Sequence, residues 1–217
     1  RQSFLALIAF IYNIVNQKNI SIEKMKKIIL ETLTLEKFIT LQNGNLITIF
    51  EPQDPESVTL ENIDLTSIES VVTSELALKK VVGAYKNFIE FIKSKNEEIN
   101  HIYMWDLLCG QNMLFSHGLN LVIVESPDDD ITHKMQLICP TNIYSKEIFD
   151  VSKPTVLVYY SNGYYEPIIR YRINGRAKDI MYLLNFNSLS KDAPEIVRIM
   201  RIIKENLLLG CSRKPSL

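Results

Sequence analysis

The chain has little that would tie it down covalently. It holds 3 cysteines, Cys109, Cys139 and Cys211, in 217 residues. They lie far apart with no CxxC, which argues against a zinc ribbon. So low and odd a count suits a reducing compartment, and we expect a cytoplasmic protein with free thiols. Glycine and proline are scarce too, at 7 and 8 residues, while hydrophobic residues make up 47%. That balance argues for a folded globular chain over a disordered one. Neither sign of charge dominates: the formal net charge is −1, with no global basic excess of the kind a dominant nucleic-acid role brings. Long apolar runs are missing. The longest, "SFLALIAFIYNIV", is too short to span a membrane and is broken by Asn13. It has no basic region before it and no small-residue cleavage site after it, so it is a poor signal peptide. We expect no membrane association. Phosphate-binding glycine loops are absent as well: no GxGxxG occurs, and no GxxxxGK followed by Ser or Thr.

A chain of this length buries about 70% of its unfolded surface and needs no staple. We expect one domain over residues 1–217. The chain opens at Arg1 inside an apparent element start, so it reads as a fragment of a longer polypeptide.

The first half, to about residue 118, has helical spacing. Ser3 is placed to cap a helix to about Val15 that turns Phe4, Ile8, Ile11 and Val15 inward. Ser21 opens a second helix with Ile22, Met25, Ile29 and Leu33 inward. "TLEKFITL" is a short third. "QNGNLITIFEP" reads as an Asn43-Gly44 turn and a short strand ending at Pro52. Residues 51–70 are acidic and form a surface excursion. Ser74 caps the strongest helix, with Leu78, Val81, Val82, Tyr85, Phe88, Ile89 and Ile92 in its buried stripe. "HIYMWDLLC" is a short helix carrying the one Trp.

From about 119 to 184 the period changes. "GLNLVIVES", "KMQLICP" and "TVLVYY" read as strands, the first buried on both faces. Asn162-Gly163 and Asn174-Gly175 are hairpin turns, the second between "YYEPIIRYRI" and "RAKDIMYLLN". Asp192 caps a last helix over about 193–209. The fold class is α+β, with a central mixed sheet packed between helices.

Candidate chemistry is thin. His101, His117 and His133 stand apart, so no metal site is expected; "SPDDDITH", with Asp128, Asp129, Asp130 and His133, reads as a solvated loop. A nuclease built on Glu125, those aspartates and Lys134 lacks specific spacing. No cofactor is implied. A thiol hydrolase would place its nucleophile at a helix N-terminus with an imidazole beside it. The first helix offers the terminus but carries Ser3.

The order of "QSFLALIAF", "MWDLLCGQNMLFSHGLNLVIVE" and "PTVLVYYSNGYYEPI" resembles the ovarian-tumour (OTU) family of papain-like cysteine proteases, most of which cleave ubiquitin. The resemblance covers about residues 1–170. It implies that Ser3 stands at the nucleophilic cysteine, Tyr164 at the histidine, Tyr165 at the family tyrosine and Glu166 at the orienting acid. A phenol does not serve as a base at neutral pH. The resemblance therefore implies a degenerate, non-catalytic domain, with no catalytic residue at Ser3, Tyr164 or Glu166. The segments "SFLALIAFIY", "FITLQNGNLITIF", "GLNLVIVE" and "ICPTNIYS" are also similar to large proteins of nucleocytoplasmic large DNA viruses. Among these they resemble the large subunit of the early transcription factor, as in African swine fever virus.

Three functions follow as expectations. One is a protein-interaction module within a larger viral polypeptide, linked to transcription, with its other domains among the partners. Another is an active deubiquitinase using Cys109 or Cys139 with His101, His117 or His133, for which ubiquitin would be the partner. The last is a nucleic-acid-binding face drawing on Lys24, Lys26, Lys27, Arg170, Arg172, Arg176, Arg198, Arg201, Arg213 and Lys214.

Overall fold

A computed structural model describes residues 2–61, 63–66, 68, 72–126, 135–140, 149–174, 177–181, 197–198, 201–203, 205 and 211. Six α-helices come first: α1 (Ser3–Asn16), α2 (Ile22–Thr32), α3 (Leu35–Thr40), α4 (Asn45–Ile49), α5 (Glu75–Lys93) and α6 (His101–Cys109). The strands follow: β1 (Asn120–Glu125), β2 (Gln136–Ile138), β3 (Thr155–Ser161), β4 (Tyr164–Ile168), β5 (Arg170–Asn174) and β6 (Ala177–Met181).

The helices begin where short polar side chains can satisfy their free N–H groups. Ser21 accepts from Lys24 N at 3.3 Å, and Thr34 accepts from Lys37 N at 3.2 Å. Asn100 opens α6 by accepting from Ile102 N at 3.0 Å. Ser74 occupies the cap position of α5 but makes no capping bond. Ser3 is not the cap of α1. Gln2 holds that place, and Ser3 is the first helical residue, with its hydroxyl turned away from its own helix.

The expected strand ahead of Pro52 is helical instead. Gln42, Asn43 and Gly44 all have positive φ, and this turn feeds α4. Leu46 and Phe50 then lie four residues apart on one helical face. Leu46 is buried, and Phe50 packs on Phe88, Phe91 and Tyr103. A short apolar run satisfies either period. The left-handed turn before it decides, because it directs the run onto α5.

Four strands form a mixed sheet in the order β2-β1-β3-β4, and β5-β6 form a separate ribbon. β1 and β3 are parallel; the other pairs are antiparallel. The segment "YYEPIIRYRI" ahead of the second turn splits at Ile169 between the two sheets. Arg170–Asn174 pairs with Ala177–Met181 as the Asn174-Gly175 signal predicted, though the turn itself lies outside the described residues. Most of the last predicted helix also lies outside them.

One face of the four-stranded sheet, with Leu121, Ile123, Val156, Val158 and Tyr165, packs on the helical core around Phe4, Ile8, Phe88 and Trp105. On the other face Val122 meets Cys211, with Leu137, Phe149, Leu157 and Ile203 against them. Asn120 and Thr155 are buried polar groups at the starts of β1 and β3, and the Asn120 amide ties them together. That amide donates to Asp150 O at 2.6 Å and Thr155 Oγ1 at 3.1 Å, and its oxygen accepts from Asp150 N at 3.0 Å. A buried amide so satisfied fixes where β1 and β3 start relative to each other.

Candidate functional site

The N-terminus of α1 abuts β4, and a hydroxyl of the helix bonds the strand backbone. Tyr165 N donates to Ser3 Oγ at 2.8 Å. The strand register explains why that N–H is free to do so. Tyr160 lies opposite Tyr165, and Ser161 opposite Tyr164. In an antiparallel ladder alternate residues turn their N–H and C=O outward. Tyr165 and Pro167 are the outward pair of β4, and proline has no N–H. Tyr165 therefore carries the one outward N–H of this edge strand, and Ser3 takes it.

Behind the clamp lies an aromatic shell. The Tyr165 ring stands 4.7 Å from Phe4 and 4.7 Å from Tyr160, centroid to centroid. His101, the first residue of α6, joins it: Nδ1 and the Tyr165 hydroxyl are 2.7 Å apart, a hydrogen bond across 64 residues. Trp105 and Tyr160 meet the imidazole edge-on at 6.0 and 6.1 Å. Burial drives the His101 pKa down to about 4, so the ring is neutral at pH 7. Burial, followed by the nearby Tyr160 hydroxyl, pushes the Tyr165 phenol up, so it stays protonated. Two neutral groups sharing one hydrogen bond suit an enclosed site, since neither leaves a charge unpaired. Next to Ser3, the Gln2 amide donates to Glu97 O at 3.0 Å, while its oxygen is buried without a partner.

The residues singled out by sequence are only partly brought together. Ser3 reaches the strand that carries Tyr164 and Glu166, but it bonds the backbone between them. Tyr164 and Glu166 project from the opposite face to Tyr165, and both are exposed. They line a cavity of about 300 Å³ with Tyr159, Ser161 and Asn162. The His101–Tyr165 pair was not foreseen. His101 looked isolated because its partner is distant in sequence, and no local spacing encodes that contact.

The cysteines need a correction. Cys139 and Cys211 form a disulfide with a Cα–Cα distance of 5.3 Å, so they are not the expected free thiols. Cys139 is thereby removed as a nucleophile. Cys109 is free, but burial raises its pKa to about 12, the reverse of what a reactive thiol requires. Of the lysines on α2, Lys26 donates to Ser94 O at 2.5 Å at the end of α5, a structural contact. The side chains of Arg172 and Arg176, with Arg213, Lys214, Asp128, Asp129, Asp130, His133 and Lys134, lie outside the described residues. Among the described residues no helix is long and apolar enough to cross a membrane.

Comparison with family models, with curated proteins and with solved structures finds no match.

Proposed function

We propose that this chain is a non-catalytic domain of the OTU-like kind, a protein-interaction module of a larger viral polypeptide linked to transcription. One observation carries the non-catalytic part of the reading. The hydroxyl at the position of the family nucleophile accepts the Tyr165 N–H and so serves as a clamp between α1 and β4. A serine nucleophile needs a base within hydrogen-bond reach of its hydroxyl. The nearby imidazole is instead bonded through Nδ1 to a phenol. Tyr164, at the histidine position, carries a phenol, which has no basic lone pair to offer at neutral pH. The exposed face bearing Tyr164 and Glu166 supports the interaction part. A ubiquitin-derived electrophilic active-site probe tests the reading. No covalent adduct is expected; a stable adduct on Cys109 or Ser3 would restore the hydrolase alternative.

A further inference from the structure

The face of β3 and β4 that points away from the helical core carries Leu157, Tyr159 and Ser161 on one strand and Tyr164, Glu166 and Ile168 on the other. Near Leu157 the second small core covers it, with Phe149, Ile203 and Cys211. Towards the Asn162-Gly163 turn it opens. Tyr164 is 65% exposed, a large aromatic ring left in water. Glu166 lies directly opposite Tyr159 and two residues along from Tyr164, so the three side chains share one face of the sheet. The cavity of about 300 Å³ is lined by these two tyrosines, the glutamate, Ser161 and Asn162. Glu166 enters no ion pair among the described residues.

Two phenol rings and a carboxylate with no ion pair among the described residues, around one small cavity, have a defined chemical preference. The faces of the rings are electron-rich and attract a cation within about 6 Å of their centroids. The carboxylate adds a full negative charge and two acceptor oxygens. A guanidinium satisfies both: its flat face stacks on a ring while its N–H groups reach the carboxylate. Addition of a strand by the partner is disfavoured. The outward edge of β4 offers no free N–H, because Ser3 takes that of Tyr165 and Pro167 has none. A partner is left with the side-chain face.

We propose that this cavity is a docking site for an arginine side chain on a basic segment of a partner protein. The inference rests on the interaction reading above and gives that module its recognition chemistry. The test is a titration of the whole chain, followed by backbone and side-chain NMR, with a short peptide alternating glycine and arginine. The control is the same peptide with citrulline, which keeps the shape and loses the charge. We expect the arginine peptide to shift resonances of Tyr159, Ser161, Tyr164 and Glu166, and the citrulline peptide to bind about tenfold weaker or less. Glu166→Gln and Tyr164→Ala should each weaken binding by about fivefold or more, while Tyr164→Phe, which keeps the ring, should stay within about twofold. Both positions are exposed, and unchanged spectra of the free variants check that they fold. Equal binding of both peptides, shifts confined to another surface, unaltered affinity in Tyr164→Ala, or no binding at millimolar peptide would each overturn the proposal. None of those results bears on Ser3, whose role is read separately by the active-site probe.

Discussion

Ser3 and His101 are ordinary residue types in unusual employment. Ser3 sits in the first turn of a helix yet spends its hydroxyl on a strand. Ser3→Ala orphans the Tyr165 N–H, which should cost about 1–2 kcal/mol in denaturant unfolding. Ser3→Thr, which keeps the acceptor, should recover part of that loss. His101 sets a pH dependence. Its folded pKa, about 4, lies below the ordinary 6.5, so the unfolded chain binds the proton more readily. Its contribution is therefore complete above about pH 6.5 and is lost as pH falls from there to about 4. After discounting for its partial exposure we expect a loss of roughly 1–2 kcal/mol across that window. Urea unfolding at stepped pH, with His101→Gln as the reference, checks it. The same pH slope in that variant would remove His101 as the cause. Sequence alone offered Ser3 as a notable residue but assigned it a local cap. Its partner lies 162 residues away, and no local rule encodes such a contact.

At the scale of elements, Gly83 shows how one close approach fixes two segments. It lies in the middle of α5, where alanine normally stabilises a helix by about 1 kcal/mol. Here a Cβ would stand 2.5 Å from Cγ of Pro52, on a ring that has little freedom to yield. Gly83→Ala should therefore destabilise by about 1–3 kcal/mol, the reverse of the helix-propensity expectation, as thermal unfolding would show. Most elements were legible because each carries its own signal. Ser21 and Thr34 cap their helices, the stripe of α5 is buried at Val81, Val82, Phe88 and Ile92, and Asn162-Gly163 turns β3 into β4. The run after Gly44 was misread because five apolar-rich residues fit either period, and positive φ at Gln42 and Asn43 leaves no mark that glycine would.

For the whole molecule, the mixed sheet and its helical layer followed from the change of period near residue 119, whereas strand order did not. That order depends on long-range packing, as does the closure of its far face by Cys139 and Cys211, which are 72 residues apart. A loop of that length should make the disulfide worth about 4 kcal/mol in the chain-entropy account. Peptide mapping without reductant should recover the Cys139–Cys211 pair with Cys109 free, and reductant should lower the melting temperature. Three intact free thiols under oxidising conditions would contradict the pairing. The Ser3–Tyr165 bond is one of the contacts between the helical half and the sheet, and the non-catalytic reading depends on it. Hydrogen exchange at the Tyr165 amide tests it most directly. This N–H faces away from β3 on an edge strand, so only Ser3 shelters it. Marked protection in the native chain, lost in Ser3→Ala while the Ser161 and Tyr164 amides stay protected, is the expected result. Exchange of the Tyr165 amide at an unprotected rate in the native chain would contradict it, leaving the Ser3 hydroxyl free for chemistry.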